Sequence, residues 1–291
     1  MTDRPAVAVE PVPRVALVDG VPMSGVLAAV PAPRATIVAL HGGATTAAYF
    51  HPPGHPELSL PRLGAAAGFT VLALDRPGFG ASGAFASEFD DTTRRVDMVY
   101  RAIDTTLGDR DRGAGLFLLA HSNGSELVLR MAGEHPRGDD LLGIEISGTG
   151  VEQQSNARAI LAGATAERIP TGLRELLWEP AELYPDRVAG AVRITGGPIS
   201  PGYEATLVSS WGETFPRLAG AVRVPVRYSL GEHERVWCND DSAMAEVAAL
   251  FGNAPRVTVA RHRNAGHNLS LGHTAADYHH SVLSYIQECI Q

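Results

Sequence analysis

Leu116-Phe-Leu-Leu-Ala-His-Ser122-Asn-Gly-Ser-Glu-Leu-Val-Leu-Arg130 is the stretch whose reading decides the fold. Leu116 to Ala120 read as a buried strand, an apolar run with Gly113 and Gly115 just before it. From Ser125 onward, Leu127, Val128, Met131 and Ala132 recur at helical spacing. Between them lies Ala120-His121-Ser122-Asn123-Gly124, a small-x-Ser-x-Gly turn from strand to helix. That is the setting of a nucleophile elbow. The serine takes a strained backbone conformation, tolerated because small residues two positions to either side let the chain turn sharply. The strain lifts the Ser122 hydroxyl out of the sheet, where a base can reach it.

The same rhythm extends in both directions. Val15 to Val18 and Val26 to Val30 suggest an antiparallel pair at a sheet edge, with Asp19-Gly20 and Pro22 between them. Arg34 to Leu40 reads as the first central strand and runs into His41-Gly42-Gly43-Ala44. A helix is expected from Leu58 to Ala67, a buried strand from Phe69 to Leu74, and an amphipathic helix from Thr92 to Leu107 with Asp90 or Asp91 as its cap. Leu141 to Ser147 is another strand. Strands alternating with helices in this way imply a mostly parallel sheet with crossover helices, an α/β fold. Residues 151–221 break the rhythm: they hold two helical patches, Ala157 to Ala162 and Leu173 to Trp178, among prolines, glycines and aromatic residues. They read as a helical cap inserted into a core of residues 14–150 and 222–291, with 1–13 a loose N-terminal arm. The core resumes with a strand at Val222 to Leu230, a helix at Asp241 to Phe251, a strand at Arg256 to Ala260 and a closing helix at Asp277 to Ile290.

Bulk properties narrow the function. The 291 residues suffice for one large domain with an insertion, and a formal charge of −8 argues against general nucleic-acid binding. All 24 basic residues are arginine, a coding bias expected of a GC-rich, bacterial genome. Two cysteines make no disulfide framework and fit a reducing compartment. The N-terminal stretch lacks the apolar segment of a signal peptide, and no 18-residue apolar run occurs, so a cytoplasmic protein with no membrane partner is expected.

Serine is a poor nucleophile at neutral pH unless a base takes its proton, and that base needs an acid to fix its tautomer. Just past predicted strands stand Ser122, then Glu234, then His267, the chain order expected with this elbow. In open α/β sheets those strand ends share one edge. Glu232 competes with Glu234 for the acid role, and Asp240 and Asp241 are more distant candidates.

Taken with His41-Gly42-Gly43, Asp75-Arg-Pro-Gly-Phe-Gly-Ala-Ser82, Gly231-Glu-His-Glu234 and Ala265-Gly-His267, the elbow makes the chain resemble the α/β-hydrolase-fold serine hydrolases over about residues 15–291. The resemblance implies Ser122 as nucleophile, His267 as base and Glu234 as orienting acid. Two features depart from the family's commoner pattern: glutamate where aspartate is more frequent, and Ala120 where glycine is. An oxyanion needs two backbone N–H donors. Asn123 follows the nucleophile and supplies one; by the family pattern Gly43 supplies the other, with Ala44 in reserve. His41 is expected to brace that loop, and His121 to be structural. Ala44, His51, Trp178 and Trp211 are candidate pocket residues.

No histidine or cysteine set has metal-ligand spacing, and no glycine-rich phosphate cradle follows a strand, so no cofactor or metal is expected. The leading expectation is hydrolysis of a carboxylic ester or thioester of a small molecule through an acyl-enzyme. A peptidase is disfavoured because nothing suggests capture of a charged peptide terminus. The resemblance also admits tailoring enzymes that eliminate, cyclise or transfer an acyl group, and a non-catalytic binding protein, which an intact Ser, acid and His disfavour.

Overall fold

A computed structural model describes residues 9–163, 170–194 and 201–291, without the side chains of residues 205, 208 and 209. Most of the expected N-terminal arm, and segments 164–169 and 195–200 of the expected cap, lie outside the described residues. The strands are β1 (Val12–Val18), β2 (Val21–Ala28), β3 (Thr36–Leu40), β4 (Thr70–Leu74), β5 (Leu116–His121), β6 (Gly143–Ser147), β7 (Val226–Gly231) and β8 (Val257–His262). The helices are α1 (Leu60–Ala66), α2 (Thr92–Leu107), α3 (Gly124–Gly133), α4 (Ser155–Leu161), α5 (Leu173–Trp178), α6 (Val188–Ala191), α7 (Tyr203–Ala221), α8 (Asp241–Leu250) and α9 (Ala275–Ile290).

The strands form one sheet in the order β1-β2-β4-β3-β5-β6-β7-β8. The β1–β2 and β2–β4 pairs are antiparallel and the rest are parallel. This is the mostly parallel α/β arrangement that the sequence rhythm implied. Every residue of β3, β4 and β5 is buried, as strands covered on both faces must be. Alternate side chains serve opposite cores. Val38 and Leu40 join a cluster with α2, α3, α7 and α8, while Ile37 and Ala39 join one with α9. Local chemistry sets the helix ends: the Asp91 carboxylate accepts from Arg94 N at 2.7 Å to open α2, and Asp240 caps α8.

The order of the sheet also contains a topological reversal. From β3 the chain crosses to β4 on one side, then returns to β5 on the other. Parallel sheets open a ligand crevice at such a reversal, beyond the carboxyl ends of the strands. Leu40 pairs with Ala120, so the loop after His41 and the elbow after His121 emerge side by side.

The main difference from the sequence reading is α7. Its apolar residues Leu207, Trp211, Phe215 and Leu218 are buried at helical spacing. Gly212, Gly220 and an internal Pro216 mask that pattern in the sequence. Burial of Phe215 and Leu218, and packing of the helix against α3, hold it together despite these breakers. The helix thereby connects the expected insertion to the core.

Candidate active site

At the elbow, Ser122 has φ of +50°, left-handed for a residue with a side chain. Ser122 N donates to Ser147 O at 2.7 Å, and Ser125 N donates to Ser122 O at 2.9 Å, which fix the turn against β6 and start α3. Gly124 is required by proximity: a β-carbon there would lie 2.6 Å from the carbonyl oxygens of both Leu40 and His41. Asn123 occupies the N-cap position of α3 without a side-chain cap bond. The first backbone N–H groups of a helix lack intrahelical acceptors, so this end of α3 presents donors at the carboxyl edge of the sheet.

His267, in the loop after β8, lies beside the elbow. Its ring meets His121 edge-on at 4.9 Å, and a β-carbon on Gly148 would lie 3.3 Å from its Cε1. Its Nδ1 is 3.0 Å and 2.9 Å from the two carboxylate oxygens of Glu234, and both residues are buried. A carboxylate only accepts, so Nδ1 carries the proton and Nε2 is left as the basic nitrogen. Val236 N donates to Glu234 Oε1 at 2.8 Å and fixes the carboxylate from behind. Among the described residues, none makes a side-chain hydrogen bond to Ser122 Oγ; nucleophile–base contacts commonly tighten only around substrate.

The competing acids stand elsewhere. Glu232 Oε2 accepts from Asn264 N at 2.9 Å on the exposed side, clasping the loop that carries His267 without touching the ring. Asp240 caps α8, and Asp241 pairs with Arg261.

The loop after β3 is braced from several directions. Arg76 N donates to His41 Nε2 at 3.1 Å, so the ring proton is on Nδ1, which donates to Gly42 O at 2.8 Å. Burial, then the Arg76 charge, holds the His41 ring well below the usual histidine range, and it stays neutral. Asp75 accepts from Ala47 N at 2.6 Å and from the Ser24 hydroxyl, tying the loop to β2. Ala44 has φ of +55°. His121 is buried, stacked on Tyr49 at 4.4 Å, and depressed by burial and by the neighbouring His267. Buried in this way, the His121 ring stays neutral.

The pocket candidates have varied surroundings. His51 Nδ1 pairs with Ser59 Oγ at 2.8 Å, at the start of α1, and its charged neighbours are Arg62 and Glu10. Trp211 is buried, stacked on Phe215 at 5.0 Å, and donates to Gly150 O at 3.1 Å. Trp178 meets Tyr184 edge-on at 5.2 Å. Tyr184 OH accepts from Asn268 N at 3.2 Å, and Asn268 donates to Leu177 O at 2.7 Å, so this region supports the His267 loop.

Sequence reasoning missed Glu204. At the start of α7 and 5% exposed, it pairs with Arg76 at 2.6 Å and accepts from Asn123 Nδ2 at 3.2 Å. Its one legible signal was the masked apolar spacing of α7. Among the described residues, no group of three metal-ligating side chains is gathered, and no helix is long and apolar enough to cross a membrane.

Comparisons with known proteins agree with this architecture. The family model Hydrolase_4, described as serine aminopeptidase, S33, matches residues 31–271. No curated protein matches the sequence. Among solved structures, the chain is similar to a highly thermostable carboxyl esterase from Bacillus coagulans, at 15% identity and TM-score 0.66 over 98% of this chain and 100% of that one. It is similar to the N-acyl homoserine lactonase AidH complexed with N-hexanoyl homoserine, at 17% identity and TM-score 0.66 over 97% and 98%. A thioesterase domain from the curacin biosynthetic pathway aligns at 16% identity and TM-score 0.60 over 96% and 99%. At these identities the likeness is one of fold.

Proposed function

The chain belongs to the Hydrolase_4 (serine aminopeptidase, S33) family of α/β hydrolases, and on that premise we propose that it cleaves a carboxylic ester or thioester of a small molecule through an acyl-enzyme. The observation that carries this reading is the buried Glu234–His267 pair set against an elbow that strains Ser122. In the proposed cycle His267 Nε2 takes the Ser122 proton as Oγ bonds to the acyl carbon. The carbonyl oxygen gains charge and is met by the backbone N–H groups of Asn123 and Gly43. Expulsion of the leaving alkoxide or thiolate, protonated by His267, leaves the acyl group on Ser122. Water then gives its proton to His267, attacks the same carbon, and releases the acid and the free serine.

The neighbours that bear the printed names esterase, lactonase and thioesterase support ester chemistry. The family description names aminopeptidases, which must hold an ammonium group. Glu204, the buried carboxylate at the oxyanion loop, is already engaged by Arg76 and Asn123, which favours the ester reading.

The test is labelling by a fluorophosphonate together with turnover of p-nitrophenyl acetate. Both are expected in the wild type and absent in Ser122→Ala; labelling that survives this substitution would refute the assignment. Product analysis in isotopically labelled water then separates hydrolysis, which incorporates one solvent oxygen in the acid, from acyl elimination, cyclisation or transfer, which do not.

A further inference from the structure

The reaction just described makes no use of Arg76 and Glu204. Burying an ion pair costs desolvation that mutual attraction barely offsets, so such a pair is weak evidence of added stability. Arg76 is 1% exposed, and it links two segments: one nitrogen, Nη2, donates to Gly42 O at 2.8 Å and meets Glu204 Oε1 at 2.6 Å. The other Glu204 oxygen accepts from Asn123 Nδ2 at 3.2 Å. A β-carbon on Gly43 would lie 3.0 Å from both Asn123 Nδ2 and that same Glu204 oxygen. The carboxylate is therefore packed against the two residues to which the proposed cycle gives the oxyanion donors. Beside it, Tyr203 OH donates to Pro77 O at 2.9 Å, and its ring lies 4.2 Å from the Arg95 guanidinium, which pins the start of α7.

We propose that Arg76 and Glu204 are a positioning pair that sets the spacing between the Gly43 and Asn123 donors, so that α7 completes the oxyanion hole. Arg76 holds the β3 loop through Gly42, Glu204 holds the elbow through the Asn123 side chain, and the ion pair joins them. The pairing also cancels the carboxylate's charge, which unpaired would oppose a developing oxyanion. The inference rests on the serine-hydrolase reading above, and Ser122→Ala separates the two: if that variant keeps activity, the reading itself fails.

The experiment measures kcat, KM and Tm with p-nitrophenyl acetate for Glu204→Ala, Glu204→Gln, Asn123→Ala and the double variant Glu204→Ala/Asn123→Ala. Misplacing one donor by about 1 Å is expected to lower kcat about 100-fold in Glu204→Ala, with KM within about threefold. Glu204→Gln keeps an oxygen for the Asn123 amide and is expected to stay within about tenfold of wild type. Asn123→Ala keeps its backbone N–H and loses no helix cap. It is expected to match Glu204→Ala, and the double variant to lose no more than either alone. If Glu204→Ala does not fold, the Glu204→Gln and Asn123→Ala pair carries the test. Wild-type kcat in Asn123→Ala, losses that multiply in the double variant, or a fall in Tm with kcat per folded enzyme unchanged would overturn the proposal.

Discussion

Replacing Glu234 by glutamine tests the acid of the proposed triad. His267 Nδ1 lies 2.9 Å from the nearer Glu234 oxygen. When the ring takes the Ser122 proton, a unit positive charge appears beside this carboxylate. At an effective dielectric of about 20, the attraction at that distance is about 6 kcal/mol. Charge delocalisation over the ring reduces the usable part to about 4 kcal/mol, roughly a thousandfold in kcat. The glutamine amide has its orientation imposed. Val236 N donates to the Oε1 position, so the amide oxygen must sit there and the NH2 group must face His267. Nδ1 then accepts, the ring proton moves to Nε2, and the base is lost. Steady-state kinetics on p-nitrophenyl acetate should show kcat about a thousandfold lower, with KM and Tm near wild type. Glu232→Gln keeps an oxygen for Asn264 N and should stay within about twofold, as exposed contacts contribute little. Activity of Glu234→Gln within tenfold of wild type, or a larger loss in Glu232→Gln, would refute the assignment.

Two further predictions concern stability. His279 in α9 is 0% exposed, with neither ring nitrogen partnered among the described residues, and burial pushes it down to about 3. The unfolded chain titrates near 6.5, so above that pH both states are neutral, and below it only the unfolded state takes up the proton. Stability is therefore full above 6.5 and falls toward 3, by about 2 kcal/mol at pH 5 from this residue. His279→Leu should lose that much less between pH 7.5 and pH 5 in urea unfolding; an unchanged pH dependence would refute the assignment. Gly124→Ala puts a methyl against two backbone oxygens and should cost about 2–4 kcal/mol and reduce fluorophosphonate labelling. A Tm and labelling rate equal to wild type would show that the elbow can relax around a side chain.

What the sequence determined by itself was whatever depends on local geometry. A strand, a sharp turn and a helix must each be built from neighbouring residues, so the elbow, the cap of α2 and most element boundaries were legible, as was the parallel character of the core. The His41 brace and the packed, buried setting of His121 were also readable from their places beside strand ends. Tertiary structure alone decided which of Glu234 and Glu232 meets His267. They stand two residues apart on one turn, and only the folded turn sends the first inward to His267 and the second outward to Asn264. It alone revealed Glu204, 81 residues from Asn123, because a hydrogen bond closed over so long a loop leaves no period or spacing in the chain. The breakers in α7 hid the helix that delivers it, and only packing against α3, a long-range energy, overrides their local preference.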